Sequence, residues 1–219
     1  HMQAIVEQLK RSPRLRLVVD ELEETLTREA AARQRFRDAA HEDARAEFVN
    51  GEVIEQMTAR EKHNSCVTLV ATLLSAWVRR EKLGAVRDQH ALVHCTRNDY
   101  LPDVAFWRTE TAAGFSATQS IYPAPDLAVE VLSPSTEALD RGVKYEDYAA
   151  HGVREYWIID PDARTVEQHL AEGDAYKLAF KAANGSFTSP TLGGFTMTVA
   201  AAFDDDANLA LLWSLAPRP

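Results

Sequence analysis

The stretch Pro125-Asp126-Leu127-Ala128-Val129-Glu130-Val131-Leu132-Ser133-Pro134-Ser135-Thr136 decides the fold. Residues 126–132 are almost wholly apolar and end at a serine-proline turn, which predicts a central strand covered on both faces. Alternation puts Asp126, Ala128, Glu130 and Leu132 on one face and Leu127, Val129 and Val131 on the other. Glu130 is the anomaly. A carboxylate in a buried strand is costly unless it is paired, hydrogen-bonded or bound to a metal. Ser133–Thr136 then supplies a turn and a helix cap.

A second acid, Asp103, opens the preceding strand, Asp103–Trp107, directly after Pro102. Two acids from adjacent strands can converge on one divalent cation, and hard carboxylate oxygens suit Mg²⁺ or Mn²⁺. A buried ion pair with Arg or Lys, or solvation at a strand end, would satisfy the same residues without metal. Downstream, Asp140 and Lys144 stand at i, i+4 on one helix face, the spacing of an ordinary surface salt bridge as well as of a site lysine. His63 lies near the start of a long helix, where it either faces the same cleft or serves structure alone.

Further out, Glu47–Ile54 carries Asn50-Gly51 between short apolar runs, a strong hairpin signal. Thr58 and Glu61 have the spacing of a capping box. The helix that follows has Cys66, Leu69, Val70, Leu73, Leu74 and Trp77 on one face, and stops at Arg79, Arg80, Lys82 and Gly84. Strands are expected at 91–95, 153–159, 165–170 and 175–180, with a turn at 97–99 and a loop over 109–120. A helix is expected from about Thr136 to Ala150, closed by Gly152. The tail, with Pro190, Gly193 and Gly194, reads as a surface finish. Residues 3–46 read as a helical extension whose stripe Leu15, Val18, Val19, Leu22 and Leu26 should pack on the body or on a second subunit. The remainder, 47–219, reads as one mixed α/β (α+β) domain: a central mixed sheet flanked by helices, with a C-terminal antiparallel meander.

The 219 residues are 46% hydrophobic and 26% charged, which excludes a disordered, collagenous or membrane-spanning chain. No basic patch leads into an apolar stretch at the N-terminus, so no secretory leader is expected, and His1-Met2 reads as a tag remnant. Cys66 and Cys95 form no CxxC, which points to a reducing, cytoplasmic setting. Neither phosphate-binding glycine loops, GxSxG nor HExxH occurs, and the histidines and cysteines lack zinc-ligand spacing. The net charge of −9 falls wholly on residues 47–219, with 15 basic and 24 acidic residues. Duplex-binding surfaces are normally basic, so charge speaks against tight nucleic-acid binding.

Taken together, Pro102–Ala105, Pro125–Thr136, the Asp140…Lys144…Tyr148 spacing and Gly152–Asp160 closely resemble the Uma-two family of restriction-endonuclease-like proteins. Glu47–Ile54 and His63 resemble that family's opening hairpin and helix, and the resemblance covers about residues 46–200. It implies the restriction-endonuclease-like fold with a PD…(D/E)xK metal site. Asp103 matches the first acid and Glu130 the second, both as metal ligands. Leu132 occupies the usual lysine position, and the resemblance moves that lysine to the next helix, as Lys144. His63 joins the site, and Glu47 and Asp140 match family positions. The implied activity is Mg²⁺- or Mn²⁺-dependent hydrolysis of DNA phosphodiester bonds. The N-terminal helical segment and the exposed faces of the core predict a homodimer. The competing reading is a catalytically weak or inactive nuclease fold used as a binding module, favoured by Leu132 and the acidic balance. A hydrolase of another phosphate ester is a third.

Overall fold

The structure is a computed structural model, and it describes residues 2–39, 45–56 and 60–215. Helices α1 (Met2–Lys10) and α2 (Leu15–Ala39) lead into hairpin β1 (Ala46–Val49) and β2 (Glu52–Glu55), then α3 (Glu61–Glu81). Next come β3 (Gly84–Asp88), β4 (Leu92–His94), β5 (Asp99–Tyr100), β6 (Val104–Arg108), α4 (Thr109–Ala112), β7 (Ile121–Pro123) and β8 (Leu127–Val131). Helices α5 (Glu137–Asp140) and α6 (Val143–Ala150) precede β9 (Glu155–Asp160), β10 (Thr165–Glu172) and β11 (Ala175–Ala182). The chain ends with β12 (Ser186–Ser189), β13 (Phe195–Thr198), a 3₁₀ turn at Val199–Ala202 and α7 (Asp205–Leu215).

One sheet has the order β11-β10-β9-β8-β6-β3 and a second the order β2-β1-β5-β4-β7. β8 pairs parallel with β9 and antiparallel with β6, so it is central, as its apolar run predicts. Its alternation holds. Leu127, Val129 and Val131 pack towards α3, while Ala128 and Leu132 belong to the second core layer with Tyr148 and Tyr156. Glu130 shares the Ala128 face, is buried, and has to find polar partners there. The mixed α+β architecture expected from the sequence is observed.

The hairpin turn also follows expectation: Asn50 and Gly51 take φ of 51° and 90°, the left-handed pair such a turn needs. Helix α3 buries Cys66, Val70, Leu73 and Leu74. Thr58, the expected cap, lies outside the described residues.

Four expectations change. First, the helix expected from Thr136 to Ala150 is two helices, broken at Arg141-Gly142. A Cβ on Gly142 would sit 2.7 Å from the Ala138 carbonyl oxygen, so a larger residue would press on the backbone of this bend. Second, the tail is core. Phe187, Leu192, Phe195 and Met197 are buried beside α3, and Glu155 Oε2 accepts hydrogen bonds from the Ser189 hydroxyl (2.7 Å) and the Thr191 N–H (3.2 Å). Third, residues 84–88 form an edge strand and 109–112 a helical turn. Both are too short to show periodicity. Fourth, within the single chain the body covers only part of the apolar stripe of α2. Leu22 and Leu26 are exposed, and the helix docks only through its C-terminal part, where Phe36 packs against Phe48. Among the described residues no helix is long and apolar enough to cross a membrane.

Candidate active site

Four elements deliver four charged side chains to one point. Glu47 comes from β1, Glu130 from β8, Asp140 from α5 and Lys144 from α6. The Lys144 ammonium lies 3.0 Å from Glu47 Oε1, 3.2 Å from Glu130 Oε1 and 3.1 Å from Asp140 Oδ1. All four side chains are buried. In an unbroken helix from Thr136, Lys144 would stand about 12 Å along the axis from its start. The bend at Gly142 turns α6 back so that the ammonium meets Glu130. Tyr148, one helical turn further, donates its hydroxyl to Glu130 Oε1 at 3.1 Å. The same Glu47 oxygen also accepts the Leu101 N–H at 2.7 Å.

Asp103 sits on the other flank of Glu130. Val104 pairs with Val129 across β6 and β8, so Asp103 takes the next cross-strand position, beside Glu130. Its Oδ2 accepts the Val131 N–H at 2.8 Å and lies 3.3 Å from His63 Nε2, while among the described residues Oδ1 has only a long 3.4 Å contact from Gln89. Asp103, Glu130, His63 and Lys144 all line one cavity of about 200 Å³. The structure thus gathers every site residue expected from the sequence. It divides the work between them: Lys144 engages Glu130, and His63 engages Asp103.

The electrostatics of this point are lopsided. Four carboxylates surround one ammonium and one imidazole. Burial pushes the Glu130 carboxyl well above its ordinary range, and it pushes Glu47 and Asp140 up as well; Lys144 opposes the rise in each case. Burial works against the charge on Lys144, but Asp140, Glu130 and Glu47 outweigh it and hold the ammonium well above its usual range. Burial likewise opposes protonation of His63, and Asp103 more than reverses this. Asp140 Oδ1 is buried without a hydrogen bond of good geometry, and His63 Nδ1 has no partner among the described residues. Carboxylate oxygens in excess of the cations beside them are a donor set that fits a hard divalent cation.

Two clusters escape sequence reasoning. Arg33 and Arg37 of α2 both grip Asp99, with guanidinium-to-carboxylate distances of 2.6–2.9 Å, across more than sixty residues of chain. Cys95, Asp147 and His151 form the other, a compact group of potential metal ligands. Its polar atoms are already engaged. The Thr96 N–H donates to His151 Nε2 at 2.9 Å, so Nδ1 carries the proton and donates to the Asp147 carbonyl at 2.7 Å. Burial pushes the Cys95 thiol up to about 12, far from the thiolate a metal requires. Nothing in the spacing of Cys95, Asp147 and His151 announces their meeting.

A central mixed sheet with acids on two adjacent strands and a lysine beside them, flanked by helices, defines a protein of the restriction-endonuclease-like fold. The sequence profile of the Uma2 family, described as "Putative restriction endonuclease", matches residues 33–200, and the chain belongs to that family. The match begins inside α2, at the first residue that grips Asp99. A crystal structure described as that of "a putative nuclease belonging to DUF820" from Anabaena variabilis shares the fold, with a TM-score of 0.66 and 16% identity over 81% of this chain and 96% of that chain. No curated protein matches the chain in sequence.

Proposed function

We propose that the protein is a divalent-metal-dependent endonuclease that hydrolyses DNA phosphodiester bonds, with Asp103 and Glu130 holding Mg²⁺ or Mn²⁺. The observation that carries this is the meeting of Asp103 and Glu130, from adjacent strands, at one outward-opening cavity, beside a buried cluster in which three carboxylates share one ammonium. Among the described residues Glu130 meets Lys144 and Tyr148 through Oε1, and its carboxylate would serve as one ligand of the metal. Asp103 is oriented by the Val131 N–H and by His63, and its carboxylate would serve as a second ligand. A metal so held supplies Lewis-acid polarisation of the scissile phosphate and a lowered pKa for an attacking water. Lys144, fixed by three carboxylates, keeps a positive charge next to Glu130 and offsets negative charge as it builds on the phosphate. His63 keeps Asp103 in register.

The competing binding-module reading draws on one feature. The Lys144 ammonium already engages three of the four acids, which reduces the charge left for a metal. Calorimetric titration with Mn²⁺ separates the two. The wild type should bind one ion per chain, and Asp103→Asn should weaken it by at least about tenfold, or 1.4 kcal/mol. Undiminished binding by Asp103→Asn would remove the proposed site.

A further inference from the structure

The cavity changes sign from floor to mouth. Its inner wall carries Asp103 and Glu130, but two exposed arginines line its opening, Arg45 before β1 and Arg60 before α3. Arg45 donates from Nη2 to Gln89 Oε1 at 3.0 Å, and the same Gln89 side chain reaches Asp103. One rim arginine is therefore tethered to the flank of the acid pair. Ser133, Ser135 and Thr136 complete the opening. The Ser133 hydroxyl lies 3.0 Å from those of both Ser135 and Thr136, so three hydroxyls cluster on the turn that follows Glu130. The neighbouring Lys62 is engaged with Asp162.

Guanidinium groups and hydroxyls are the donors that hold phosphate oxygens without reading bases. We propose that Arg45, Arg60 and the Ser133–Thr136 hydroxyls form a phosphate-binding rim for an unpaired nucleic-acid strand, threading one phosphate down to Asp103 and Glu130. The inference rests on the nuclease reading and adds a substrate class to it. Shape points to an unpaired strand. Glu130 is 2% exposed and Lys144 1%, at the bottom of a cavity of about 200 Å³. A phosphate must enter that cavity to meet them. A flexible strand can bend one phosphate inward, whereas in a duplex each phosphate is held on a wide, stiff cylinder. Charge agrees. Residues 47–219 carry a net of −9, so a duplex laid across the surface would meet repulsion beyond the rim.

The test is fluorescence anisotropy of the full chain in Mg²⁺ with a phosphorothioate DNA that resists hydrolysis. The probe is a strand of about 12 nucleotides, within the range single-strand sites span, offered alone and as a blunt duplex. The strand should bind at least about tenfold tighter than the duplex, and the double variant Arg45→Glu/Arg60→Glu should lose at least about tenfold in strand affinity. The slope of log affinity against log salt should flatten by about 1.4, from roughly 0.7 for each lost phosphate contact. The milder Arg45→Gln/Arg60→Gln pair, checked for a wild-type melting curve, should fall between. A duplex that binds as tightly as the strand overturns the proposal, and so does a double variant whose strand affinity stays within about twofold of wild type. If the nuclease reading alone fails, the pattern differs: rim-dependent strand binding persists while no DNA is cut and Mn²⁺ binding ignores Asp103→Asn.

Discussion

Two buried charge clusters in this molecule use the same groups in opposite proportion. At the docking point of α2, two arginines enclose one carboxylate, Asp99. At the cavity, one lysine is enclosed by three carboxylates, with Asp103 a fourth nearby. Burial alone would raise Asp99, but Arg33 and Arg37 more than reverse it and hold its carboxyl below the ordinary range. Glu47, Glu130 and Asp140 move the other way, because one ammonium cannot offset the desolvation of three acids. The first cluster is charge-saturated and acts as a clamp. The second retains charge that only protons or a further cation can satisfy. Stoichiometry, rather than burial or distance, separates the structural cluster from the candidate site.

The sharpest way to break this contrast is to remove the lysine. Lys144→Met leaves three buried acids without their counter-ion, and unfolding by urea near neutral pH should show a loss of about 3–5 kcal/mol. That deficit should shrink at lower pH, as the abandoned acids take up protons. A loss that does not vary with pH would mean the acids were never charged. Asp99→Asn comes next. Its arginines reach partly into solvent, so unfolding should show a smaller loss, about 2 kcal/mol near neutral pH. An unaffected protein would show that the clamp is ornamental and that α2 docks by Phe36 alone. Glu130→Gln should have the smallest effect on stability and the opposite sign. Stability in metal-free buffer should hold or rise by about 1 kcal/mol, because a buried like charge has gone while Lys144 keeps Glu47 and Asp140. Mn²⁺ binding should fall in the same variant. A loss of stability comparable to that of Asp99→Asn would place both clusters in one class.

Acid titration should move the two clusters in opposite directions. The folded-state pKa of Asp99 lies below the ordinary 3.8, so the clamp contributes fully above that value and is lost as pH falls through the lower one. The folded-state values of Glu47 and Glu130 lie above 4.5, so the folded protein binds protons the unfolded chain does not. The pocket therefore destabilises progressively as pH rises from 4.5 through those raised values. This is the pH window in which Lys144→Met and Asp99→Asn should diverge.

Local chemistry made much of this legible in advance. The apolar run at 126–132 sets a central strand, because strand periodicity and burial are properties of neighbouring residues. The same run marks Glu130, since a charge among apolar neighbours must find a partner. Pro102-Asp103 marks the second acid, and the Asn50-Gly51 turn and the α3 stripe are equally local. The N-terminal stripe is legible as an apolar face, but amphipathicity does not say what covers it.

The sequence by itself determined the opening hairpin, α3 and the strands β6, β8, β9, β10 and β11, which face of β8 carries the acid, and the family. Only the tertiary structure decided what else Lys144 touches, because its i, i+4 contact with Asp140 fits a surface pair equally well and the bend at Gly142 is what carries the ammonium to Glu130. It alone brought Glu47 to the lysine, Arg33 and Arg37 to Asp99, and the glycine-rich tail into the core. Each of these joins residues far apart in the chain, where local propensity has no say. Whether a buried charge is answered or left over depends on how many opposite charges the whole fold delivers to the same place.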